Sequence, residues 1–151
     1  IAVRVAFDAG VGARLTLRVG GKISPLSGEP MDLECTVKAL FPAMVMTGLA
    51  NTPVPLGDCA LIDANGIEIV LITTRNQAMG MDLFTQLGCV LESKAIIVVK
   101  SSQHFYASFS QVAKHVIYAA APGSVTLDLD ALPYRKARLP KWPLQTGAKT
   151  Q

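Results

Sequence analysis

The sequence is poor in the residues that most often carry chemistry or cross-links. It holds two histidines, three cysteines, one tryptophan and only 17% charged side chains. Cys35, Cys59 and Cys89 are odd in number and widely spaced, with neither a CxxC nor a nearby His pair. That argues against a disulfide framework or a zinc knuckle and predicts reduced thiols in the core. His104 and His115 stand 11 residues apart and form no HxxxH or HxH pair, so a metal site built from this chain alone is not expected. Long hydrophobic runs are missing too. The stretches at 61–72 and 95–99 are too short to span a bilayer, and Asp63, Asn65 and Glu68 interrupt the first. No basic segment followed by an apolar run and a small-residue cleavage site opens the chain, so a cytoplasmic location is expected.

What is present is apolar. Hydrophobic side chains make up 50% of the 151 residues, which excludes global disorder and suits one compact domain over residues 1–151. The net charge of +3 would suggest nucleic acid if it were spread over the chain. It is not: Arg135, Lys136, Arg138, Lys141 and Lys149 follow Pro133 with no acid among them, and the body before them is mildly acidic. A basic, Pro-containing tail at 133–151 reads as solvated or packed on a partner, not as a phosphate-binding stripe. Neither nucleic acid nor a membrane is an expected partner.

Along the chain, Ala2, Val3, Ala6 and Phe7 have helical spacing, and Gly10 and Gly12 follow as terminators. That pattern is already under way at Ile1 and points to preceding sequence. Residues 13–19 alternate as a half-buried strand closed by Gly20-Gly21, and residues 33–40 alternate likewise. Residues 24–30 and 51–57 read as turn-rich loops. Asn65-Gly66, flanked by 60–64 and 67–73, is a strong hairpin signal, because a type I′ turn needs positive φ at both central positions. Met81, Leu83, Phe84 and Leu87 suit a short helix ended by Gly88.

Residues 95–99 form a continuous apolar run, which predicts a strand covered on both faces. Phe105, Phe109, Val112 and Ala113 recur at helical spacing, and 116–118 returns to strand character. The fold class expected is α+β: a mixed, mostly antiparallel sheet of about five to seven strands with one strand-helix-strand unit and two or three helices.

The blocks VVKSSQHFYASF at 98–109, AAPGS at 120–124 and LPYRKARLPKWPL at 132–144 resemble, in order and spacing, the closing third of microcystinase-like (MlrC-type) zinc metallopeptidases. AFDAGVGA at 6–13, LRVGGK at 17–22 and ITTR at 72–75 are similar to that family as well. The resemblance implies a C-terminal accessory domain of a two-domain hydrolase acting on peptides or related amides. It further implies that zinc is held by His and acidic ligands on an N-terminal domain outside this chain. The chain also starts after the Gly-rich stretch that usually opens the family's C-terminal domain, so part of the interdomain seam is expected to be missing. The expected partners are that N-terminal metal-binding domain and a small peptide-like substrate, with a homo-oligomer left open. The fragment alone is expected to be inactive.

Candidate site residues cluster where the buried run hands over to the helix. Lys100, Ser101 and His104 combine a cation, a hydroxyl and an imidazole, a set able to bind a carboxylate or meet charge developing on a carbonyl oxygen. The resemblance tips His104 towards function as the catalytic member, while position at the strand ends makes Lys100, Ser101 and Arg75 the substrate-binding candidates. The plainer alternatives are that Ser101 or Ser102 caps the helix, that His104 packs on it, and that Arg75 is an ordinary exposed loop residue. Asp8 reads as solvated, while Tyr134 and Trp142 read as anchors for the tail. A Ser101-His104-Asp128 triad is rejected because no GxSxG elbow is present and Ser101 is too close in sequence to its base. Gly20-Gly21-Lys22 lacks the frame of a phosphate loop. The rival reading of function is a binding or scaffold domain without catalysis.

Overall fold

The computed structural model describes residues 1–23 and 25–121, together with Lys136 and Arg138. The expected tail at 133–151, with Tyr134 and Trp142, therefore lies almost wholly outside the described residues, as does Asp128. Helix α1 (Ala2–Ala9) buries Val3 and Ala6 on one stripe. It stops at Gly10, whose φ of 83° is open to glycine and whose N–H donates to the Ala6 carbonyl at 3.0 Å. Strands β1 (Arg14–Val19), β2 (Met31–Thr47), β3 (Pro53–Ala64) and β4 (Ile67–Ile72) follow, forming one antiparallel sheet in the order β1-β2-β3-β4. Short helices α2 (Asp82–Thr85) and α3 (Tyr106–Phe109) come after it.

The class is α+β, with α1 and the segment after β4 on a curled sheet of four strands among the described residues. The Asn65-Gly66 hairpin forms as the dipeptide requires, with φ of 54° and 85°.

Strand β3 decides the layering. Cys59, Ala60, Leu61 and Ile62 are all buried, and alternate side chains enter different cores. Ala60, Ile62 and Ala64 join Val3, Ala6, Leu17, Cys35 and Val37 beneath α1. Cys59 and Leu61 join Met44, Met46, Leu56, Leu83, Leu87, Phe105 and Phe109 in the larger cluster. Such a strand needs cover on both faces, and the chain supplies it from both ends. Truncating one of the fully buried side chains, Leu56 for example, would cost about 2–5 kcal/mol in lost transfer energy and cavity.

Several expectations are corrected. The strand expected at 33–40 runs on to Thr47 through register shifts around Phe41 and Met44. At this bulge Ala43 adopts a φ of 47°, and its N–H donates to Asp58 Oδ1 at 3.0 Å. The loop expected at 51–57 is mostly strand, because Pro53 and Pro55 sit opposite Thr47 and Val45 at the start of β3, where a missing donor is tolerated. Residues 95–99 and 116–118 form no strand among the described residues, where the sheet has four strands. The helix expected through Ala113 is regular only over α3. Among the described residues no helix is long and apolar enough to cross a membrane.

Candidate functional site

Beyond β4 the chain stays tied to β3. The Thr73 N–H and hydroxyl both donate to the Asp58 carbonyl, at 3.1 and 2.6 Å, and Thr74 N–H donates to the Leu56 carbonyl at 2.9 Å. Arg75 leaves the sheet edge immediately after this anchor, fully in solvent. The next residues are fastened to the end of β2: Met79 and Gly80 N–H groups donate to Met46 Sδ at 3.4 and 3.3 Å, and Thr47 N–H donates to Asp82 Oδ2 at 2.7 Å. Met81 N–H donates to Ser108 Oγ on α3 at 3.0 Å, which docks that helix on the same loop.

These anchors bring the Arg75 loop beside the turn before α3. The Ser101 hydroxyl donates to Gln77 Oε1 at 3.0 Å, joining positions 24 apart in sequence. Arg75 and Lys100 thus project from two adjoining loops, while His104 is exposed next to the buried Phe105. Neither serine caps α3: Phe105 occupies the cap position and no side chain satisfies it. Arg75, Lys100 and His104 are exposed and Ser101 is half-buried; as a candidate polar rim they offer cations of the kind that draw a carboxylate and an imidazole of the kind that meets a carbonyl oxygen. Gln77, which carries the link between the loops, gave no signal in the sequence, being a polar residue in a polar loop. Asp82 could have been suspected from its place in the first turn of a helix.

Other groups are accounted for structurally. Cys59 is buried and its thiol is pushed up to about 11, chiefly by burial and then by the charge of Asp58. Burial likewise raises Cys35 and Cys89. All three are free, which fits core thiols and not nucleophiles. Lys94 pairs with Glu68 at 2.6 Å, and that contact is the first cause of its raised pKa. A shallow, open concavity of about 420 Å³ is lined by Arg14, Thr16, Glu34, Thr36, Asp63 and Asn65, and none of these belongs to the rim. Among the described residues no group of three or more His, Cys, Asp or Glu could hold a metal ion. The zinc that the resemblance implies therefore does not fit this chain's own described donors, and no chemical step is routed through it.

The four-stranded antiparallel sheet with its short helices defines an α+β domain among the described residues. Residues 1–136 match the family described as MlrC C-terminus, and the chain belongs to that family. It is 33% identical over 145 residues to "Microcystinase C" of Sphingomonas sp, covering 96% of this chain and 28% of that protein. A crystal structure named "Putative metallopeptidase", from Mesorhizobium sp. BNC1, has the same fold, with a TM-score of 0.80 and 27% identity over 97% of this chain and 30% of that one. The chain spans less than a third of the length of either relative.

Proposed function

We propose that residues 1–151 are the single C-terminal domain of a longer, zinc-dependent metallopeptidase of the cytoplasm that cleaves peptides or related amides. The zinc, with its His and acidic ligands, belongs to the remainder of that polypeptide. The domain contributes the interdomain interface and the polar rim, with Arg75, Lys100 and Ser101 binding substrate and His104 acting as the reacting carbonyl gains charge. The observation that carries this reading is the match to the MlrC C-terminus family, whose relatives named above are a microcystinase and a metallopeptidase-like protein. The Ser101–Gln77 hydrogen bond supports the choice of residues, since it joins the turn that holds Lys100 and Ser101 to the loop that follows Arg75.

The test is His104→Ala and Lys100→Ala in the longer polypeptide, with peptide hydrolysis and thermal melting followed together. Both side chains are exposed, so melting should hold. Removing a group used only in the transition state should lower kcat at least about tenfold for His104→Ala, equivalent to about 1.4 kcal/mol, while Lys100→Ala should act mainly on KM. Unchanged kcat and KM in both variants would overturn the assignment. A polypeptide that hydrolyses no peptide, yet needs Arg75 and Lys100 to hold a ligand, is a binding or scaffold protein instead.

A further inference from the structure

The run at 95–99 is apolar at every position, a pattern that belongs to strands covered on both faces. Among the described residues it is covered on one. Ile97 and Val99 pack on the larger core cluster, while Ile96 and Val98 are 80% and 83% exposed. The segment at 116–118 repeats the arrangement: Val116 packs on the same cluster and Ile117 is 86% exposed. Tyr118 leans on the buried Phe105, with ring centroids 5.7 Å apart. The backbones of 95–102 and 114–121 make no hydrogen bond to another backbone group among the described residues. Each segment is therefore rich in β-branched side chains and without a backbone partner among the described residues. Residues 100–115, which hold α3, connect them, and a crossover of this length containing a helix is what joins parallel strands.

We infer that residues 95–99 and 116–118 are two strands of a strand-helix-strand unit completed by strand addition: the remainder of the longer polypeptide supplies a sheet whose edge pairs with their backbones and whose apolar cover lies on Ile96, Val98 and Ile117. The inference rests on the reading that this chain is one part of such a polypeptide, and the relatives' length supports that occupant. Both relatives match nearly all of this chain yet are more than three times as long. The charge-free run at 95–99 suits an apolar neighbour in the same molecule, since backbone pairing gives affinity and side-chain burial fixes the register. The unit would also set Lys100, at the end of its first strand, against the supplied sheet.

Hydrogen exchange read by mass spectrometry decides the matter, on the longer polypeptide and on the 151-residue chain side by side. The expected result is exchange at least about 100-fold slower at the amides of 96–99 and 116–118 in the longer polypeptide, with little protection in the shorter chain. Equal rates in the two overturn the inference. So does protection in the 151-residue chain alone: if independent of concentration, the chain covers itself, and if it grows with concentration, a second copy is the occupant. Val98→Pro is the second arm, because it removes an N–H that has no backbone partner here. It should leave the melting of the 151-residue chain unchanged and deprotect 96–99 in the longer polypeptide; retained protection there overturns the pairing. Peptide hydrolysis is measured separately. Protected segments in a polypeptide without peptidase activity sink the proposed function and leave this inference standing, and an active enzyme with unprotected segments does the reverse. A gene encoding these 151 residues and nothing more overturns both.

Discussion

The carboxylate of Asp82 accepts the backbone N–H of Thr47 at 2.7 Å, across 35 positions of sequence. One oxygen, Oδ2, makes that bond; the other, Oδ1, is buried with no hydrogen-bond partner among the described residues. The contact ties the end of the longest strand to the first turn of α2, where the loop that carries Arg75 ends. Asp82→Ala would strand the Thr47 N–H and should cost about 1–3 kcal/mol in denaturant unfolding. Asp82→Asn keeps an acceptor and should recover most of the loss. Equal losses in the two variants would show that the charge, not the acceptor, holds the junction.

Gly80 tests the same junction by size. A Cβ at this position would lie 2.5 Å from the Thr47 carbonyl oxygen and collide with the Asp82 carboxylate. Gly80→Ala should therefore destabilise by about 1–3 kcal/mol, although alanine normally stabilises a backbone relative to glycine. A melting temperature at or above that of the parent would mean that the loop carrying Arg75 shifts freely.

At the hairpin the expectation is purely conformational. Gly66 has a φ of 85°, and a Cβ there meets no atom within 4 Å. Gly66→Ala should cost about 1–2 kcal/mol through the left-handed backbone alone, with Asn65-Gly66 replaced by a less compatible turn. Thermal or urea unfolding reads it, and a cost near zero would mean that the turn relaxes to another type.

Alkaline pH should destabilise the fold. Cys59 keeps its proton in the folded chain up to about 11, against an ordinary value of 9.0. Between these values the unfolded chain binds fewer protons than the folded one, so stability present below pH 9 is lost as pH rises towards 11. Lys94, raised by its pairing with Glu68, contributes with the same sign at still higher pH. Melting temperature should change little through these groups below pH 9 and fall above it, and Cys59→Ala should flatten the fall. Reaction of the folded protein with a thiol reagent at neutral pH should be slow at all three cysteines.

Metal binding provides a further check. Dialysed against zinc and then buffer, the 151-residue chain should retain well under one zinc per chain, since its described His, Cys, Asp and Glu residues do not converge. Elemental analysis measures it. One tightly held zinc per chain would relocate the metal centre into this chain and contradict the division of labour proposed above.

Local rules carried much of the chain. Alternation at 13–19, the Asn65-Gly66 dipeptide, the helical spacing before Gly10 and the burial of all three cysteines were legible because each depends on a few neighbouring residues. The course of β2 through Pro42 was not. Its bulge is sustained by Asp58, 15 residues beyond Ala43, and no local propensity encodes that acceptor. The prolines at 53 and 55 read as loop residues until their partners on β2 are known. At the candidate site, Arg75, Lys100, Ser101 and His104 could be named from residue type and position, but the link of Ser101 to the loop after Arg75 runs through Gln77, 24 positions away.

The sequence by itself determined the α+β class, the hairpin and the kinds of residue available for chemistry, because periodicity, turn dipeptides and side-chain type act over a few residues. Only the tertiary structure decided which apolar runs become strands and which polar residues meet. Residues 59–62 and 95–99 are both apolar, yet the first finds β2 and β4 on either side while the second finds no backbone partner among the described residues. A strand is a relation between backbones, and its second half is not written in its own residues.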